Sequence, residues 1–176
     1  MRELADANRI QRVLEGLGEA ARVPGRVYLT GGATAVLLGW RKSTIDVDLA
    51  FVPDQDTILR AIPALKERLQ VNVELASPAD FIPVPPGWED RSLFVDQAGA
   101  LGIFHFDPYA QALAKLERGH QQDITDVREL VARGLVNPSR ALEYFNRIEL
   151  ELYRFPAIHA PSYRHAVASF FAELEG

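Results

Sequence analysis

The sequence predicts an α+β fold: a small mixed β-sheet flanked by helices, followed by a helical C-terminal part. Three observations carry this expectation. Alternating apolar and polar residues, the period of a half-buried strand, recur at residues 45–52 and 71–75. Stretches with helical spacing lie between the strand signals of the first 106 residues. From Asp107 onward the strong local signals are helix starts and stops. The expected division is therefore 1–106 as an α/β core and 107–176 as a helical part packing on it.

Each element has its own reason. Leu4, Ile10, Val13, Leu14, Leu17 and Ala21 recur at helical spacing over residues 3–22, and Pro24-Gly25 ends that helix. Val27 to Thr30 is a short β-type run that Gly31-Gly32 breaks, and Ala33 to Gly39 reads as a short apolar helix. In the next strand Ile45, Val47, Leu49 and Phe51 share one face, with Asp46, Asp48 and Ala50 on the other. Asp54 or Asp56 is suited to cap a helix running to about Leu69, in which Pro63 fits poorly and introduces a bend. Val71, Val73 and Leu75 then alternate with Asn72 and Glu74. Four prolines make 78–87 a loop, and 92–95 with 101–106 form a hairpin around Ala98-Gly99. Asp107-Pro108 opens a helix that Gly119 interrupts; Asp123 opens the next, which Gly134 closes. Asn137-Pro138 opens a third, and a final helix spans about 161–174.

Composition narrows the function classes. Hydrophobic residues make up 48% and charged residues 24%, enough apolar surface for a real core in 176 residues. A net charge of −5 argues against broad, nonspecific coating of nucleic acid. There is no cysteine, so disulfides, thiolate zinc sites and cysteine nucleophiles are excluded; a reducing cytoplasm is the expected location. No secretory leader and no apolar run long enough for a membrane span is expected.

The chemistry-bearing pattern is Asp46-Val47-Asp48. Carboxylates at i and i+2 of one strand project from the same face. Two like charges that close repel and are costly without a cation. A hard divalent ion with oxygen ligands, Mg²⁺ or Mn²⁺, is the natural compensation. Glu74 lies on the polar face of the next expected strand; if the two strands are neighbours it completes a three-carboxylate cluster suited to displacement at phosphorus. Upstream, Gly31-Gly32 joins a strand to a helix, where the backbone can approach phosphates closely. The 13 residues between Gly32 and Asp46 allow a short helix and a return to the adjacent strand.

Gly31-Gly32, a short helix, Arg41-x-x-Thr44 and Asp46-x-Asp48 together resemble the signature of the DNA polymerase β-type nucleotidyltransferase superfamily. The nearer resemblance is to its AbiEii-like and MenT-like branch of bacterial nucleotidyltransferases, many of them toxins of toxin–antitoxin pairs. The segments VNVELASPADFIPVPPGWEDRSLF and YAQALAKLERGHQQDITDVREL resemble later parts of that branch, and the likeness spans about residues 25–155. It implies a nucleotidyltransferase-like fold, metal binding by Asp46 and Asp48, contact of Lys115 with a triphosphate, and support from Asp123 or Asp126 in the helical part. It also implies an NTP substrate, the 3′ end of tRNA as acceptor and a small antitoxin protein made alongside. The branch often carries Ser at the second glycine. Here that position is Gly32, so its hydroxyl is absent unless Thr30 or Thr34 supplies one.

The candidate catalytic set is thus Asp46, Asp48, Glu74, Lys115 and Asp126, with Asp46, Asp48 and Glu74 as metal ligands. Thr30, Gly31, Gly32, Arg41, Thr44 and Lys115 are the candidate nucleotide contacts. Two rival functions stay open: transfer to a small molecule such as an antibiotic, and a nucleotide-binding partner module without turnover. Plainer readings stand beside each residue. Asp-x-Asp also occurs on solvated strand edges, Gly-Gly in simple turns, and Lys115 fits a snorkelling surface lysine. Asp123 fits a helix N-cap, with Asp126 three residues on. His105, His120, His159 and His165 form no close metal-ligand pair. His105 is expected on a strand face, Trp40 and Trp88 in packing, and Leu142, Phe145, Ile148 and Leu152 in a core or interface stripe.

Overall fold

The computed structural model describes residues 2–175. The chain forms two compact units. The first comprises the stretch up to Ser77 together with Ser92–Phe106. The second comprises Pro78–Arg91 together with the chain from Asp107 onward. A division at 106/107 assigns 78–91 to the first segment, whereas in the structure that stretch groups with the later helices.

In the first unit, β1 (Gly25–Thr30), β2 (Asp46–Val52), β3 (Asn72–Leu75), β4 (Leu93–Ala98) and β5 (Leu101–His105) form one sheet in the order β3-β2-β1-β5-β4. β1 pairs antiparallel with β2 and parallel with β5; β2 and β3 are parallel; β4 and β5 are an antiparallel hairpin. The expected α+β class and mixed sheet are observed. Helices α1 (Ala7–Ala20), α2 (Gly32–Leu38) and α3 (Asp56–Leu69) belong to this unit. Ile10, Leu14 and Leu17 of α1 and Ile58 and Leu65 of α3 bury against Val27, Leu29, Val47, Leu49 and Ile103 of the strands. Strand alternation therefore commits one sheet face to the core and leaves Asp46 and Asp48 on the other.

Several expectations about this unit need correction. Ile45 is not on the core face: β2 begins at Asp46, and Ile45 is 71% exposed. The chain is held at Thr44 by a bridge to Ala5, so it joins the sheet only after Ile45. Leu75, at the end of a four-residue edge strand, is exposed too. Neither Asp54 nor Asp56 caps α3; the N-cap is Gln55. Its amide ties down the turn after α1, accepting from the Arg22 and Val23 N–H groups (3.0 and 3.3 Å) and donating to the Val23 carbonyl (2.9 Å). α3 runs on through Pro63, which faces solvent, where water can satisfy the carbonyl left without an N–H partner.

The second unit is helical. A 3₁₀ turn (Pro78–Asp80) and the one-turn α4 (Trp88–Arg91) lie where only a proline loop is expected. α5 (Pro108–Arg118), α6 (Gln121–Ala132), α7 (Pro138–Glu149) and α8 (Ala160–Glu175) follow. Asp107 caps α5 by accepting from the Tyr109 N–H (3.0 Å), and Arg91 of α4 donates two hydrogen bonds to the same carboxylate (2.8 and 3.0 Å). Burial nevertheless keeps the Asp107 carboxyl above the usual carboxylate range, despite the opposing pull of Arg91 and the backbone N–H groups. Asn137 caps α7 as expected, accepting from the Arg140 N–H (3.0 Å). Asp123 does not start α6. That helix begins one turn earlier after His120, and Asp123 reaches back to accept from the His120 N–H (3.2 Å). Of the expected stripe, Phe145, Ile148 and Leu152 are buried and Leu142 is half-buried, with Phe145 edge-to-face against Tyr163 of α8. Among the described residues, no helix is long and apolar enough to cross a membrane.

Candidate metal centre

Register brings the three acidic residues together. Asp48 of β2 lies directly opposite Glu74 of β3, and Asp46 lies opposite Asn72. Because side chains alternate, Asp46, Asp48, Asn72 and Glu74 all rise from the same sheet face. One carboxylate oxygen from each of Asp46, Asp48 and Glu74 lies within 4.8 Å of the others. The two aspartates are half-buried and Glu74 is exposed, so the cluster has a protein floor and an open side. Three hard oxygen donors brought this close could hold a hard divalent cation.

The glycine turn meets the same carboxylates from the other side of β2. Thr30 at the end of β1 pairs with Asp48, and Gly31 follows with φ +62°, a conformation that side chains rarely adopt. A Cβ on Gly31 would sit 3.1 Å from the Asp48 Oδ2, so the carboxylate lies against bare backbone. Gly32 is needed for space. A Cβ there would stand 2.0 Å from Thr44 Oγ1, 2.6 Å from Thr44 Cβ and 3.0 Å from an Arg41 guanidinium nitrogen. Arg41 and Thr44 therefore close over Gly32, and Thr44 Oγ1 donates to the Asp46 carbonyl (3.0 Å). Thr44 Oγ1 thus takes the space that a side chain at position 32 would need. The Thr34 hydroxyl is buried and hydrogen-bonds the Leu29 carbonyl (3.3 Å) and His105 Nδ1 (3.0 Å). Burial holds the His105 pKa down at about 4, so the ring is neutral near pH 7.

Lys115 and Asp126 come together in the second unit. Lys115 Nζ lies 2.7 Å from Asp126 Oδ2 and 3.8 Å from Asp123 Oδ1. Arg118 grips both oxygens of Asp123 (2.5 and 2.8 Å), and Gln122 donates to the other oxygen of Asp126 (3.2 Å). Burial alone would raise the Asp123 pKa; the Arg118 hydrogen bonds and charge, with the Lys115 charge, outweigh it and hold the carboxyl below the usual range. Within its unit this network joins α5 to α6. Asn72 went unremarked at the sequence level except as a polar-face residue. The available signal was its place two residues before Glu74 on the same face.

The family model described as "Nucleotidyltransferase of unknown function (DUF6036)" matches residues 8–148, and the chain belongs to that family. A solved structure, an antigenic nucleotidyltransferase-like protein from Paracoccidioides brasiliensis, is similar with a TM-score of 0.49 and 13% identity. The similarity covers 92% of this chain and 95% of that one. No curated protein matches the chain at a significant level.

Proposed function

We propose that this protein is a metal-dependent nucleotidyltransferase that moves a nucleotidyl group from an NTP to an acceptor hydroxyl. The observation that carries the reading is the convergence of Asp46, Asp48 and Glu74 beside the Gly31 turn. The reaction is an in-line displacement. The acceptor oxygen forms a bond to the α-phosphorus, the bond to the bridging oxygen breaks, and pyrophosphate leaves with that electron pair. The acceptor proton passes to a carboxylate of the cluster. Mg²⁺ or Mn²⁺ held by Asp46, Asp48 and Glu74 would supply Lewis acidity at phosphorus and offset the charge of the departing pyrophosphate. The chain's own task is positioning and electrostatics. Gly31 lets the phosphates approach the backbone, Arg41 adds positive charge next to the turn, and Thr30 and Thr44 border it. On the strength of the family likeness, Lys115 is proposed to contact the triphosphate and Asp123 or Asp126 to support the site.

The likeness to the AbiEii-like and MenT-like branch supports the 3′ end of tRNA as acceptor, a toxin role held in check by a small antitoxin protein, and action in the cytoplasm. The test is direct. Purified protein is incubated with each labelled NTP, Mg²⁺ and total tRNA. Label on tRNA is the expected result, and Asp48→Asn should abolish it while leaving the fold intact. Pyrophosphate release that requires a small-molecule acceptor would move the assignment to that substrate class. Nucleotide binding without turnover in any arm would reduce the protein to a binding module. Wild-type transfer by Asp48→Asn would remove the aspartate from the reaction.

A further inference from the structure

The carboxylate cluster has a fourth member that is not acidic. Asn72 Nδ2 lies 2.6 Å from Asp46 Oδ1 and 2.9 Å from Glu74 Oε1. One amide nitrogen, with two protons, donates to carboxylates on two different strands. The orientation of the amide follows from its partners: turned over, the Asn72 carbonyl oxygen would face two anions, with no proton between them. Each carboxylate spends one oxygen on Asn72 and keeps another for a cation. Asp46 and Glu74 are thereby held at a set separation across the β2–β3 register, the pairing that also places Asp48 opposite Glu74.

We infer that Asn72 is the positioning residue of the metal centre: its amide, donating to both carboxylates, orients Asp46 and Glu74 for the cation. This rests on the metal-centre reading given above. Its physical basis is preorganisation: an exposed Glu74 at a sheet edge would otherwise sample several rotamers, and ordering it on metal binding would cost entropy. The rival account is that the amide merely stands in for a cation, relieving carboxylate repulsion and competing with the metal. The two accounts predict opposite signs when the amide is removed.

The experiment is Mn²⁺ titration of the full chain, followed by electron paramagnetic resonance of free Mn²⁺. Wild type is compared with Asn72→Leu, close in shape but without donors, and with the smaller Asn72→Ser; circular dichroism and metal-free unfolding verify that each is folded. Positioning by Asn72 predicts that a folded Asn72→Leu chain binds Mn²⁺ about 10–100-fold more weakly. Affinity within twofold of wild type, or tighter, in whichever variant folds would overturn the inference while leaving the metal centre standing. A wild-type chain that takes up no Mn²⁺ at millimolar concentration would instead overturn the metal-centre reading and this inference with it.

Discussion

At the scale of single residues, positions 32 and 44 compete for one volume. A serine or alanine at 32 would place its Cβ 2.0 Å from the Thr44 hydroxyl, a distance that something must shift to relieve. The neighbouring atom belongs to a short β-branched side chain on a chain segment fixed by the Ala5–Thr44 bridge, so it cannot swing away. Gly32→Ala should therefore destabilise by about 1–3 kcal/mol. Thr44→Gly in the same chain should recover part of that loss, with a coupling of about 0.5–3 kcal/mol between the two sites by urea unfolding. Strict additivity would show that the two side chains do not meet. His105 gives a second residue-scale expectation. Its native pKa of about 4 lies below the unfolded value of 6.5, so between these values the unfolded chain binds a proton that the native chain refuses. Stability is then fully expressed above pH 6.5 and falls by up to about 1.4 kcal/mol per pH unit as pH drops toward 4. His105→Gln should be less stable at pH 8, having lost the Thr34 contact, yet show a flatter profile between pH 6.5 and 4.5. An unchanged profile in that variant would place the titration elsewhere.

At the scale of elements, the α5–α6 pair is joined through buried charge. Lys115 and Asp126 are almost fully enclosed, and removing one partner strands the other in a poorly solvated site. Lys115→Met alone should cost about 3–5 kcal/mol in thermal or urea unfolding, whereas Lys115→Met with Asp126→Leu should be close to neutral. Equal losses in the single and double variants would mean the pair carries no special electrostatic weight. Asp123 next to them works in a lower pH window than His105. Its carboxyl is held below its ordinary range, so the stability it contributes is present at neutral pH. That contribution is lost only as pH falls below the unfolded carboxylate value and through the lower native one. Element boundaries were legible where a short sequence signal acts locally: Asp107-Pro108, Asn137-Pro138 and the hairpin at Gly99. They were not legible where a distant segment decides. Gln55 displaced the two aspartates as the cap of α3, and its own amide is committed to residues 22 and 23.

For the whole molecule, a cation that binds only the folded chain must raise its stability. With Mg²⁺ at 100 times its dissociation constant the gain is about 2.7 kcal/mol, read as an upward shift of the unfolding midpoint that a chelator reverses. Asp48→Asn should lose most of that shift. A midpoint that ignores Mg²⁺ at every concentration would argue against any metal centre in the chain. Three carboxylates concentrate negative charge where a polyphosphate is proposed to arrive, and a divalent ion reconciles two anions that would otherwise repel.

The amino-acid order by itself determined the α+β class, the alternation that turns Asp46 and Asp48 to one face, and the glycine turn before them. These depend on periodicity and on backbone freedom, which act over a few residues. Only the tertiary structure decided which strands are neighbours. Glu74 belongs to the cluster because β3 runs parallel to β2 in a register that sets residue 74 against residue 48. Asn72 joins for the same reason, and Thr44 fills the space above Gly32 because the chain folds back through a bridge to Ala5. A slip of one residue in the β2–β3 pairing would keep every local pattern intact and turn Glu74 and Asn72 to the opposite face. Register is fixed by long-range burial, and no short window of sequence contains it.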